Sequence, residues 1–261
     1  MQTESWLYGH SSIVISAILF VLIIFANELG YWLGRFVQAK TDSEIKSLTG
    51  AVQASILGLL ALLLGFTFSM SMQRYDQRSL AVIDEANAIG TALLRAELLP
   101  AAYQPQARQL LEQYISLRIS VSTIDMTRAS ERGIYAEKMA VLQRVLWNIA
   151  IEATRQDANA VTTGSFSTAL NQLFDSQGKR NALLQMHVPE VVLILLFMVF
   201  IASGSMLGYS SGLSGKRIQV PIVLISLLIT LIVFIIIDLD RPKRGLIKVN
   251  QQVLHELVST G

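Results

Sequence analysis

Apolar residues run along this chain in two rhythms. Four stretches are almost continuously apolar, and between the second and third of them apolar residues return every third or fourth position. No charge occurs from Ser5 to Asn27. A bilayer core needs about 20 helical residues, so a first span is predicted over roughly His10 to Leu33. A second uncharged stretch of about 27 residues separates Lys46 from Arg74 and predicts a span over Ala51 to Met72. A third is predicted over Val191 to Tyr209. A fourth, over Ile218 to Ile237, is nearly all leucine and β-branched residues.

The second span has no stop signal at its polar end. Beyond it lie Val82, Ala86, Ile89, Leu93 and Ala96, each three or four residues after the last, and no proline comes before Pro100. One helix is therefore predicted to leave the membrane and continue as the first helix of a soluble domain. After Pro100 and Pro105 a second helix carries Leu110, Tyr114, Leu117, Val121 and Ile124. Arg128 to Gln156 predicts a third, with Tyr135, Met139, Leu142, Leu146, Ile149 and Ala153 on one stripe. Asp157 to Gly164 reads as a loop, and Ser165 to Met186 as a fourth helix. No strand alternation occurs. The expected fold class is all-α: an integral membrane protein with four transmembrane helices and an antiparallel helical soluble domain inserted between the second and third spans. The predicted segments are 1–72 for the first two spans, 73–187 for the soluble domain, 188–237 for the last two spans and 238–261 for a basic tail with a short amphipathic end.

Small residues form two further patterns. Gly50, Ala54, Gly58, Ala61, Gly65 and Ser69 share one helix face in the second span. Gly204, Gly208 and Gly212 recur every four residues in the third. Such residues let helices approach closely in lipid, so Gly58, Gly65, Gly204, Gly208 and Gly212 are expected packing positions, within or between subunits. The face of the second span also suits a pore lining. Gln53 is its one strong hydrogen-bonding side chain at depth, and Phe66 and Phe68 are its aromatics.

Composition agrees with a membrane class: 52% of the 261 residues are hydrophobic and 15% charged, against about 25% charged in an ordinary soluble domain. The net charge of +2 does not suggest nucleic acid as a partner. With no cysteine there is no disulfide, thiolate nucleophile or thiolate metal site. The first apolar stretch lacks a basic leader and a small-residue cleavage site, so it is expected to stay as a permanent helix. Arg74, Arg78, Lys179, Arg180, Arg241, Lys243, Arg244 and Lys248 fall on one side of the predicted spans. Arg35, Lys40, Lys46, Lys216 and Arg217 fall on the other. This excess places the soluble domain and both termini in the cytoplasm.

Chemistry is sparse. His10, His187 and His255 are far apart in sequence and suit interfacial positions better than a metal site. No phosphate-binding loop, nucleophile elbow or paired acidic metal motif occurs, so no catalytic, cofactor-binding or metal residue is nominated and an enzyme is not expected. Asn27 and Glu28, near the end of the first span, read as interfacial groups or as a carboxylate facing a polar path. Asp238 and Asp240 form a carboxylate pair that Arg241 and Arg244 would neutralise. At the junction Arg74, Arg78 and Glu85 lie within about 40° on a helix, with Asp76 and Asn87 on another face. They read either as a solvated face or as the mouth of an oligomeric pore. Because two crossings separate them, Arg74 and Arg78 are expected at the same membrane face as Asp238 and Asp240, and to pair with them.

The run GLLALLLGFTFSMSMQRYDQRSLAVIDEANAIGTALLRAELLP, residues 58 to 100, together with IDLDRPKRGLI, residues 237 to 247, resembles a bacterial membrane family of unknown function labelled bestrophin-like. The resemblance implies four spans, a homo-oligomer and a possible ion channel, since true bestrophins are pentameric anion channels with an aromatic-lined neck. The expected partners are then the lipid bilayer, sibling subunits and inorganic ions. The alternative expectation is a membrane-anchored scaffold or sensor whose helical domain binds a cytosolic partner.

Overall fold

The structure is a computed structural model that describes residues 11–123, 129–217, 219–241 and 245–259. Among the described residues it is all helical, with no strand. The helices are α1 (Ser12–Val37), α2 (Ser43–Ala96), α3 (Gln104–Thr123), α4 (Ala129–Gln156), α5 (Thr163–Gln185), α6 (Glu190–Ser214), α7 (Gln219–Asp240) and α8 (Gln252–Ser259), with a short 3-10 turn at Gln38–Lys40. His10, Ile124, Arg128, Ile218, Pro242, Lys243 and Arg244 lie outside the described residues. Four helices are long and apolar enough to cross a membrane.

The predicted continuity at the junction is present: α2 runs unbroken for 54 residues, about 80 Å at 1.5 Å per residue. It ends where Pro100 approaches. The amides of Glu97, Leu98 and Leu99 turn back to the carbonyls of Leu94, Arg95 and Ala96, and the Gln104 side chain donates to the carbonyls of Glu97 and Leu99. These bonds satisfy carbonyls that a helix end leaves open. Pro105 then sits at the second position of α3, where its missing N–H costs nothing.

The chain forms two compact units, with α2 running through both. In the first, α1 and α6 run in parallel, because Ile23 meets Gly204, Asn27 meets Gly208 and Tyr31 meets Gly212. A Cβ added at Gly208 would collide with the Asn27 carbonyl oxygen, and one at Gly212 with that of Tyr31. Gly30 and Gly34 of α1 face the Ser205 and Tyr209 carbonyls in the same way. Glycine is thus required from both helices. The Asn27 amide donates across this contact to the Gly204 carbonyl at 3.2 Å. α7 runs the opposite way along α1, and Ile15, Leu19, Ile23, Leu60, Leu196, Phe200, Val233 and Ile237 form the shared core.

The face of α2 carrying Gly58 and Gly65 behaves differently. Nothing lies within 4 Å of a Cβ built at either. Among the described residues nothing packs on these two expected packing positions. The helix instead buries Leu60, Thr67 and Ser71 on its other side, where the Thr67 hydroxyl is satisfied by the Leu63 carbonyl of its own helix.

In the second unit the predicted stripes meet. Val82, Ala86, Ile89, Leu111, Tyr114, Leu146, Ile149, Phe166, Leu170 and Leu173 fill one core. α7 continues through Asp238 to Asp240, and both carboxylates accept hydrogen bonds inside the protein. The amphipathic end of the tail forms α8, which brings Leu254, fully buried, into the helical core.

Candidate functional site

The junction residues divide by burial. Glu85 is fully buried in the second unit. Its position on α2 is set by the same periodicity that buries Val82 and Ile89, so a carboxylate occupies a core position. Arg118 of α3 answers it, with Nε 2.6 Å from Oε1 and Nη2 donating to Oε2 at 2.9 Å. Arg180 of α5 donates from Nη1 to Oε2, and the Tyr114 hydroxyl donates to Oε1 at 3.1 Å. The second Arg180 amino group donates to the Gln251 side chain at 2.6 Å, tying in the segment before α8. Burial pushes the Tyr114 phenol far above its ordinary range, with the Glu85 charge adding to the rise. Burial lowers Arg180 from its ordinary value, and Glu85 works against that fall. One carboxylate thus serves two guanidiniums and clamps α2, α3 and α5 together.

Arg78, also buried, donates from Nε to the Leu183 carbonyl at 3.2 Å and from Nη2 to that of Met186 at 2.6 Å. These carbonyls lie in the last turn of α5 and just beyond it, where a cation complements the negative end of the helix dipole. The solvated-face reading therefore does not hold for Glu85 and Arg78. Asp76 and Asn87 are exposed. Arg74 is half-buried, and its Nε has no hydrogen-bond partner.

Asp238 and Asp240 lie two residues apart on α7, hence about 200° apart around it. The structure accordingly sends them to different partners. Asp238 accepts from the Ser12 hydroxyl at 3.2 Å and the Ile247 amide at 2.8 Å. Asp240 accepts from the Val188 amide at 2.9 Å, with His187 Nδ1 3.6 Å from the same oxygen. Both carboxylates sit at the negative end of their own helix. Each is compensated near the positive start of another, α1 for Asp238 and α6 for Asp240. Arg241 is buried beside them in sequence, while the expected neutralising partner Arg244 lies outside the described residues.

Gln53 is half-buried in the second helix, while Phe66 and Phe68 are 65% and 41% exposed. At the other end of the first unit Glu28 is half-exposed and accepts two hydrogen bonds from Arg217, at 2.7 and 2.9 Å, and Arg217 also covers the Tyr31 ring. Among the described residues no group of three or more potential ligands could hold a metal. Sequence reasoning missed Arg118, Arg180, Ser12, Gly30 and Gly34. The signal for the arginines was Glu85 itself, since a carboxylate at a core position demands cations opposite.

Residues 20–254 match the bestrophin-like domain family. Among curated proteins none matches the chain. Three crystal structures of a bacterial bestrophin homologue from Klebsiella pneumoniae share the fold. Its tryptophan-to-alanine variant has a TM-score of 0.68 and 18% identity over 96% of this chain and 95% of that one. The isoleucine-to-threonine variant has a TM-score of 0.63 and 19% identity over 96% of each chain. The tyrosine-to-alanine variant has a TM-score of 0.62 and 17% identity over 91% of this chain and 96% of that one. With the family matched over most of its length and the fold shared end to end, this chain belongs to the bestrophin-like family.

Proposed function

We propose that the chain is one subunit of an oligomeric pore that conducts inorganic ions across the bacterial inner membrane. It crosses the bilayer through α1, the first half of α2, α6 and α7. The helical domain of residues 73–187 is inserted between the second and third spans and lies in the cytoplasm with both termini. The parallel course of α1 and α6 and the opposite course of α7 support this topology, because first and third spans must run alike and the fourth against them.

One observation carries the pore reading: the open face of α2. Along its membrane half this helix exposes Gly58, Gly65 and their small neighbours, and among the described residues nothing lies within 4 Å of a Cβ built at either glycine. Small faces in lipid suit close approach of other helices. Repeated around a ring of subunits, the same face would surround an opening, and α2 would extend the pathway into the cytoplasm without a break. The family relationship points the same way. Purified protein reconstituted in planar bilayers should show unitary currents. A correctly folded, oligomeric preparation that stays silent at every voltage would end the proposal.

A further inference from the structure

Charge on the open face of α2 is unevenly placed. Between Lys46 and Asp84 this helix carries three charged side chains, Arg74, Asp76 and Arg78. Arg78 is buried and directed to the carbonyls at the end of α5. Arg74 is half-buried and lies about 160° around the helix from Asp76. Asp84 is paired with Lys179 at 2.9 Å. Asp76 is exposed, and among the described residues no hydrogen bond or ion pair engages its carboxylate. By helical periodicity it shares a face, within about 20°, with Gly58, Gly65, Ile83 and Leu94, all of them exposed. Asp76 is thus the sole charge on that face from the start of the second span to the first turns of the soluble helix.

We infer that Asp76 sets the charge preference of the pore and selects cations over anions. The inference rests on the pore proposed above. In a ring of identical subunits with this face towards the axis, Asp76 recurs once per subunit at one height. Among the described residues no cation accompanies it there, since Arg78 is bound to the carbonyls at the end of α5 and Arg74 lies across the helix. Like charges brought together repel, the more strongly where protein and lipid displace water. A mobile cation on the axis relieves the repulsion, and an anion adds to it. Rings of carboxylates select cations in this way. An anion preference, which kinship with true bestrophins alone would suggest, has no exposed basic side chain on this face to support it.

The test compares full-length wild-type protein with Asp76→Asn, Asp76→Lys and Asp76→Glu in planar bilayers under a potassium chloride gradient. Size-exclusion profiles confirm assembly of each variant. Wild type should reverse on the cation side. Asp76→Asn should lower the cation-to-anion permeability ratio about tenfold, the scale at which a charged cleft enriches counter-ions. Asp76→Lys should move the reversal to the anion side, and Asp76→Glu should keep it on the cation side, which a merely structural role would not produce. Currents whose reversal is the same in wild type, Asn and Lys variants would overturn the inference while leaving the pore standing. No current from any assembled protein would remove the pore and the inference together.

Discussion

Glu85 gathers two buried guanidiniums, those of Arg118 and Arg180, around one buried carboxylate. Removing its charge leaves the Arg118 and Arg180 guanidiniums in a closed environment without a counter-ion. Breaking a buried pair in this way costs about 3–5 kcal/mol. Glu85→Gln should therefore lower the thermal unfolding temperature of the detergent-solubilised protein far more than Asp84→Asn, whose pair with Lys179 is exposed and contributes about 0–1 kcal/mol. Similar shifts for the two variants would show that the cluster is not what holds α2, α3 and α5 together. Tyr114 adds a pH dependence with a definite sign. In the unfolded chain its phenol ionises near pH 10. In the fold burial keeps it protonated to higher pH. The stability it contributes is complete below about pH 10 and declines above it, by about 1.4 kcal/mol per pH unit. Tyr114→Phe should start less stable at neutral pH, through loss of the bond to Glu85, and fall less steeply in alkali. Parallel alkaline profiles for the two proteins would contradict this account.

At the level of elements, glycines of the same apparent kind do two different things. Gly208 lets α6 touch the backbone of α1, and a larger side chain there meets the Asn27 carbonyl. Gly58 meets nothing in its own chain. Gly208→Leu should therefore separate α1 from α6 and destabilise the subunit itself. Gly58→Leu should leave subunit stability intact, or raise it by up to about 1 kcal/mol through helix propensity, and show its effect in the subunit count and the current. Val223→Leu, on an exposed part of α7, serves as the neutral substitution. Equal loss of thermal stability in the Gly58 and Gly208 variants would mean that the open face of α2 is engaged within the subunit after all. The aspartates of α7 show a related division, since two carboxylates two residues apart must serve two different helix starts.

For the whole molecule, the long α2 is the helix that runs through both compact units. A proline inside it removes a backbone bond and costs about 3 kcal/mol or more. At Ser79, between the last span residues and the Glu85 cluster, Ser79→Pro should abolish current while the α1–α6 contact, built from other helices, survives. Slow amide hydrogen exchange retained across the facing stretches of α1 and α6 would report that survival. Loss of that protection along with the current would show that the first unit depends on α2 for its assembly.

Helix number, the apolar stripes and the continuity of α2 were legible in the sequence, because they follow from local periodicity and from the absence of proline between Lys46 and Pro100. The four-residue spacing of Gly204, Gly208 and Gly212 was legible for the same reason. The partners of each charge were not. Glu85 meets arginines 33 and 95 residues away, and Asp238 meets Ser12 at a separation of 226, distances over which periodicity carries no information. Nor did the pattern separate Gly58 from Gly208, since both lie in small-residue stripes of equal regularity. Only the folded chain decides that one stripe is spent inside the subunit and the other left open, because burial depends on what the other helices have already covered.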